Sequence, residues 1–268
     1  MTTMHSYNLR SRCINFNVVE LKKEIKTYKE KLHDKNLILV FDVETTGLIQ
    51  RNYITKKRVP LKECPFITQI SFIIYDISKK KKIETFNSYI KIDPSIIIPQ
   101  IVIDITGITQ EKCQNQGITM TDALISFYKA YCRCGTMVAH NIVFDRDMIL
   151  IEIERNYKSM PIRECPYPYS VFDIDYIKAT NIELYCTMIK SLNVCNLMVE
   201  SKRQGVIKSD EIIKYDFSSG QTVKTRFYKK MPKLSELYFH FFGVIPENLH
   251  DSLVDTEICL KCYLKLTQ

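Results

Sequence analysis

Leu37-Ile38-Leu39-Val40-Phe41-Asp42-Val43-Glu44-Thr45-Thr46-Gly47-Leu48 runs from an unbroken apolar segment straight into two acids. Five consecutive apolar residues without polar alternation predict a strand buried on both faces, the kind found at the centre of a sheet. Asp42 and Glu44 stand two apart at its end, so a pleated backbone turns both carboxylates to one side. Two carboxylates side by side at the edge of a core repel and need neutralising. A divalent cation does this, and oxygen ligands suit Mg2+ or Mn2+. Alone, such a pair is common as a solvated strand end.

Working outward, residues 66–77 and 82–92 read as two further strands, joined by a charged turn at 79–82. Residues 108–117 read as a short helix and loop. Residues 121–132 form an amphipathic helix capped by Thr119 or Thr121. A brief strand at 136–139 leads through His140-Asn141 into a helix at 143–155. A proline-rich loop at 161–170 precedes an expected strand at 171–176 and an expected helix at 182–190. Helices at 234–242 and 249–266 close the chain, with Gly243 and Pro246 between them. This order predicts an α/β fold, a mixed β-sheet flanked by helices.

Two additions flank that unit. Residues 1–36 read as an N-terminal arm and amphipathic helix. Val18, Leu21, Ile25, Tyr28 and Leu32 give residues 17–33 helical spacing, a surface for packing outside the main fold or for a partner. Within the main domain, 37–268, an insertion at about 191–232 carries alternating segments at 211–217 and 221–228 around Ser218-Ser219-Gly220, a second β-hairpin. It is basic: from Lys190 to Lys233 there are ten Lys or Arg and four Asp or Glu.

The whole chain carries a formal charge of +8 over 268 residues, a balance that suits a polyanionic partner as well as simple solubility. Ten cysteines and an N-terminus without a continuous apolar core point to free thiols in a reducing, intracellular compartment; cytoplasm and nucleus are not distinguished. Cys132-Arg-Cys134 and Cys259-x-x-Cys262 lack the partner pair of a zinc finger and read as ordinary thiols. No apolar run reaches the ~18 residues of a membrane span.

Two more pieces complete the pattern. Val138-Ala139-His140-Asn141-Ile142-Val143-Phe144-Asp145 places an acid in the first turn of a helix, and His250-Asp251-Ser252-Leu253-Val254-Asp255 places a histidine five residues before another acid. On a helix, His250 and Asp255 are expected to project toward one site. Together these motifs resemble the DEDDh branch of the 3′→5′ exonuclease family, the group that includes the proofreading subunit of bacterial DNA polymerase. Ile105-Thr106-Gly107-Ile108-Thr109 and Lys233-Leu234 with Leu237-Tyr238 strengthen the resemblance, which covers about residues 37–266. Ser252 stands where the family often has alanine, and Cys186-Thr187 where many members have Asp-Thr. The 105 positions from Asp145 to His250 exceed the gap of compact members, and the basic insertion accounts for the excess.

The resemblance implies a ribonuclease-H-like fold and two divalent metal ions, Mg2+ or Mn2+, held by Asp42, Glu44, Asp145 and Asp255, with His250 as general base. It implies nucleoside 5′-monophosphate release from a nucleic acid with a free 3′ end, DNA in preference to RNA. An RNA exonuclease of the same chemistry and a non-catalytic nucleic-acid-binding subunit are the alternatives. The Thr45 and Thr46 backbone groups and Leu48 resemble the family's terminal-nucleotide contacts, and Asn141 is a candidate either to contact the substrate or to orient the site. Lys224 and Arg226 on the basic hairpin are candidates for the strand's phosphates, as are Lys56, Lys57 and Arg58 after the first motif. A polymerase or other protein is the expected partner of the N-terminal helix, and no membrane is expected.

Overall fold

The computed structural model describes residues 33–200, 211–216 and 221–268, and no side chain between 201 and 226. Of the expected helix at 17–33 only His33 is described, and the turn at 217–220 also lies outside the described residues. A five-stranded mixed sheet organises the rest, built from β1 (Asp34–Thr45), β2 (Ile67–Asp76), β3 (Lys81–Tyr89), β4 (Cys134–Ala139) and β5 (Glu183–Cys186). Its order is β3-β2-β1-β4-β5. β1 pairs antiparallel with β2 and parallel with β4, so it is central, as its apolar run requires.

Alternate residues of β1 serve opposite layers. Leu39, Phe41 and Val43 enter the larger core, with Phe127 and Tyr131 of helix α3 (Met120–Arg133) and Met148 and Ile151 of helix α4 (Ile142–Asn156). Ile38 and Val40 face the other way, onto Cys259, Leu260 and Tyr263 of the last helix, Ser252–Leu266. By the same two-residue period, Asp42 and Glu44 continue the row of Ile38 and Val40. The apolar row seats the last helix, and its acidic continuation meets that helix's first turn.

Between β3 and α3 lie α1 (Gln100–Thr106) and α2 (Gln110–Gln116). Thr119 caps α3, its hydroxyl accepting from the Asp122 N–H, as expected. Two expectations fail between α4 and the insertion. Residues 171–176 are not a strand: Asp173 accepts from the Tyr176 N–H and starts helix α5 (Ile174–Thr180), while Phe172 turns with φ 58° to pack on Phe41, Phe127 and Tyr131. Residues 182–190 are not one helix. Residues 183–186 form β5, parallel to β4, and only a helical turn follows, α6 (Thr187–Lys190). The outer edge of β4 is buried, and its peptide groups need a partner that a helix there would deny them.

After α7 (Leu192–Cys195), a separate three-stranded sheet of order β6-β8-β7 comprises β6 (Met198–Glu200), β7 (Glu211–Asp216) and β8 (Gln221–Lys229). The antiparallel pairing of β7 and β8 agrees with the expected hairpin, and β6 is an addition to it. Helix α8 (Leu234–Phe242) ends at Gly243, whose φ of 71° suits a residue without Cβ. Helix α9 (Ser252–Leu266) ends the fold. Among the described residues no helix is long and apolar enough to cross a membrane. The nine described cysteines, those of both close pairs included, are free thiols.

Candidate active site

β4 ends at Ala139, while β1 continues to Thr45, and their pairing stops at Val40 opposite Val138. The overhang would leave peptide groups of β1 without partners at the open end of the sheet. Asp145 repairs one of them: its Oδ1 accepts from the Val43 N–H at 3.3 Å. The chain reaches that position because Asn141 adopts a left-handed backbone (φ 72°), turning from β4 into α4, and Asp145 follows in the first helical turn.

The fourth acid arrives from the other layer. Asp251 caps α9, accepting from the Leu253 and Val254 N–H groups, and Asp255 lies one turn inside. Ser252 fastens this end to the sheet: its hydroxyl donates to the Asp42 carbonyl at 2.7 Å, and its N–H to Gln69 Oε1 at 3.3 Å. Gln69 also donates to Asp251 Oδ2. His250 is not on the helix, contrary to expectation. It precedes the cap in a left-handed conformation (φ 69°), and its N–H donates to Asp255 Oδ2 at 3.1 Å. The ring is nonetheless at the site: candidate ligand atoms of Glu44, His250 and Asp255 lie within 4.8 Å of one another.

Four carboxylates from three chain segments thus meet at the end of β1. Burial, then the charges of Asp145, Glu44 and Asp255, raise Asp42 well above the usual carboxylate range. Burial and then Asp255 and Asp145 push Glu44 up to about 8. Asp145 rises to about 8 through burial, against the opposing bond from Val43, and Asp255 to about 6 through burial. Asp42 Oδ2 and Asp255 Oδ1 are buried without a hydrogen-bond partner. A site of four carboxylates with the His250 ring at its edge, with orphaned oxygens and mutual repulsion, fits divalent cations.

The remaining candidates divide. Leu48 is 73% exposed just past the acids. The Thr45 hydroxyl donates to the Gly47 carbonyl, while the Thr46 N–H and hydroxyl are both bonded to Phe66, so the two threonines brace the turn. Asn141 is exposed. Lys224 and Arg226 lie on β8 opposite Ile213 and Glu211; their side chains are outside the described residues. Arg58 does not stand ready for phosphate, because it donates to Glu154 Oε2 at 2.8 Å.

Sequence reasoning passed over three residues that hold the site together. Ser252 and Gln69 pin α9, as above. His140, buried, is held by Thr187 and by the Pro232 carbonyl, each at 3.0 Å. A carbonyl only accepts, so Nε2 carries the proton, while the Thr187 hydroxyl beside Nδ1 also reaches the Ala139 carbonyl at 3.3 Å. Burial pushes His140 down to about 4, so the ring is neutral at pH 7. Cys186-Thr187, read as a departure from the family, therefore supplies the anchor of the motif's own histidine. The signal was a histidine placed directly after a buried strand.

An oxygen-donor cage at the open end of this mixed sheet defines a nuclease of the DEDD type. The chain belongs to the RNase_T exonuclease family, whose model matches residues 39–193, more than half of it. That span holds Asp42, Glu44 and Asp145; His250 and Asp255 lie beyond it. Over 117 residues the chain is 30% identical to a DNA polymerase III of PolC type from Streptococcus suis, covering 44% of this chain and 7% of that protein. An Escherichia coli exonuclease I in complex with a dA16 oligonucleotide has 15% identity and a TM-score of 0.53, over 87% of this chain and 41% of that one. A zinc-bound complex of the same E. coli enzyme with single-stranded DNA has 16% identity and a TM-score of 0.55, over 88% and 41%. The chain thus spans under a tenth of the polymerase and about two fifths of the exonuclease I chains.

Proposed function

We propose that this protein is a 3′→5′ exonuclease that releases nucleoside 5′-monophosphates from DNA ends with two divalent ions, Mg2+ or Mn2+, at the four-acid cage. The observation that carries the reading is the convergence of Asp42, Glu44, Asp145 and Asp255 at one buried point, with His250 beside them. Asp42, the acid that senses all three others, would hold the ions together with Glu44, Asp145 and Asp255. When bound, the ions would neutralise the cage and stabilise charge developing on the phosphate and the leaving 3′ oxygen.

The chain's own groups do the rest. His250, exposed and next to Glu44 and Asp255, would take the proton of the attacking water. The bond from its N–H to Asp255 ties the base to the cage. Leu48 would cover the terminal base, held out by the turn that Thr45 and Thr46 brace; Asn141 would reach the same end of the strand. Lys224 and Arg226 would meet its phosphates farther on. DNA is favoured because the solved complexes of exonuclease I hold DNA and the matched relative is a DNA polymerase.

The test is a gel assay on 5′-labelled DNA and RNA of one sequence, with Mg2+, Mn2+ or chelator, for wild type and Asp42→Ala. A metal-dependent ladder shortening from the 3′ end, lost in the variant, is the expected result. Stronger laddering of RNA would transfer the reading to an RNA exonuclease. A folded protein without a ladder on either polymer would leave only a binding subunit.

A further inference from the structure

Between the first motif and β2, residues 50–59 double back as a small finger. Arg51 and Arg58 face each other across an antiparallel bridge. The Asn52 N–H donates to the Lys57 carbonyl at 2.8 Å, and the Val59 N–H to the Gln50 carbonyl at 3.1 Å. The Asn52 side chain accepts from the Ile54 and Thr55 N–H groups and shapes the tip.

Both legs are fastened to one helix. Arg51 meets Asp147 at 2.7 Å and Arg58 meets Glu154 at 2.8 Å. Asp147 and Glu154 are seven residues apart on α4, hence two turns along a single face. Asp147 is buried and is itself held by Arg146, so the Arg51 leg is anchored on a carboxylate fixed inside the protein. The finger springs from β1, which carries Asp42 and Glu44, and is clamped to α4, which carries Asp145. Its placement is set by the elements that set the cage.

The tip presents the opposite character. Tyr53 and Ile54 are each 86% exposed, between legs anchored through Arg51 and Arg58. Lys56 stands 4.5 Å from the centre of the Tyr53 ring, and Lys57 is exposed beside it. No Asp or Glu occurs from 50 to 62. An aromatic ring and two lysines, held out on a braced stalk and free of local carboxylates, match the chemistry of a single nucleic-acid strand: a stacking face with phosphates alongside. We infer that the finger tip is a contact for the single strand whose 3′ end enters the cage, Tyr53 stacking on a base and Lys56 and Lys57 meeting phosphates.

This rests on the exonuclease reading, so the test reads binding without turnover. Fluorescence anisotropy of labelled DNA strands of 3 and 20 nucleotides is measured with the full chain in chelator. For wild type the longer strand should bind more tightly. In Tyr53→Ala that length advantage should fall about tenfold, the size of one lost base–aromatic stack. Tyr53→Phe should restore it. Lys56→Gln with Lys57→Gln should flatten the salt dependence of binding by about 1.4 in log–log slope, two phosphate contacts at about 0.7 each. All the substituted groups are at the exposed tip, and an unchanged thermal midpoint confirms that the fold is intact. If Tyr53→Ala keeps the full length advantage, the finger is not a strand contact, whether or not the enzyme is active. Normal DNA binding with loss of a protein partner would overturn the inference in favour of a protein dock. Absent cleavage with the expected binding losses would sink the exonuclease reading and spare the finger.

Discussion

Asp145→Asn should make the metal-free protein more stable at pH 8 and leave it unchanged near pH 4. Asp145 is buried, and its carboxyl is raised from 3.8 to about 8 in the folded chain. A raised acid favours folding below its unfolded pKa, because the folded state keeps the proton without penalty. As pH climbs from about 4, the unfolded chain ionises and the folded one resists, so stability is lost progressively until about pH 8. Each unit is worth about 1.4 kcal/mol, so this acid costs on the order of 5 kcal/mol at pH 8. Asparagine does not titrate, and its Oδ1 can still accept the Val43 N–H. At roughly 2–4 °C per kcal/mol for a chain of this size, the midpoint in chelator should rise by about 10–20 °C. Divalent ions relieve the same repulsion in wild type, so Mn2+ should raise the wild-type midpoint at pH 8 and move the variant's less. The assay is thermal unfolding at pH 4.5 and 8, with chelator and with Mn2+. An asparagine variant that melts below wild type at pH 8 in chelator would refute the argument that burial and repulsion strain this site.

His250→Asn should lower kcat by about 10²- to 10⁴-fold, the usual worth of a general base, while keeping the Mn2+-dependent rise in midpoint; loss of both would mean that the histidine holds the cage rather than serving as its base. Asp147→Ala should lower stability by about 1.5–3 kcal/mol, because two partly exposed arginines lose their buried partner, read by chemical denaturation; a loss under 1 kcal/mol would contradict the clamp. His140→Ala should cost about 2 kcal/mol, two hydrogen bonds, and should speed amide exchange around Lys230 and Leu237 more than in β1; uniform acceleration would argue against a local anchor. Ser252→Ala should cost about 1 kcal/mol for the bond to the Asp42 carbonyl, measured by denaturant midpoint, and an unchanged midpoint would discount it.

The central strand, the two outer strands of the hairpin and the motif helices were legible because each depends on a local pattern. An apolar run before Asp42, a charged turn and a threonine cap mean the same thing in any context. β5 was not legible, since residues 182–190 pattern equally well as a helix and only the unsatisfied edge of β4 decides. The same limit hid the role of Thr187, whose partner His140 lies 47 positions earlier in the chain. His250 comes beside Glu44 and Asp255 by a geometry the helical spacing did not give: Asp251 takes the cap, which turns the histidine out of the helix and leaves its N–H to bind Asp255. Arg58, a phosphate candidate by charge, proved to be spoken for by Glu154, a contact across 96 positions.

What makes the cage work as a site is the way each acid is oriented without being used up. Asp145 takes the Val43 N–H on Oδ1. Asp255 takes the His250 N–H on Oδ2, and its Oδ1 has no partner. Asp42 is fixed through its carbonyl by Ser252, and its Oδ2 has no partner either. Backbone N–H groups hold Asp145 and Asp255 by one oxygen each, while a buried oxygen of Asp42 and one of Asp255 have no partner. Filling those oxygens with donors from the protein would lower the pKa values and stabilise the metal-free fold. It would also weaken the proposed binding of cations; the short reach of β4 and the left-handed turn at His250 leave these acids without such donors. The overhang of β1 past Val138 is the origin of both effects, because it creates the orphan peptide group that Asp145 serves and the open end where α9 can deliver Asp255.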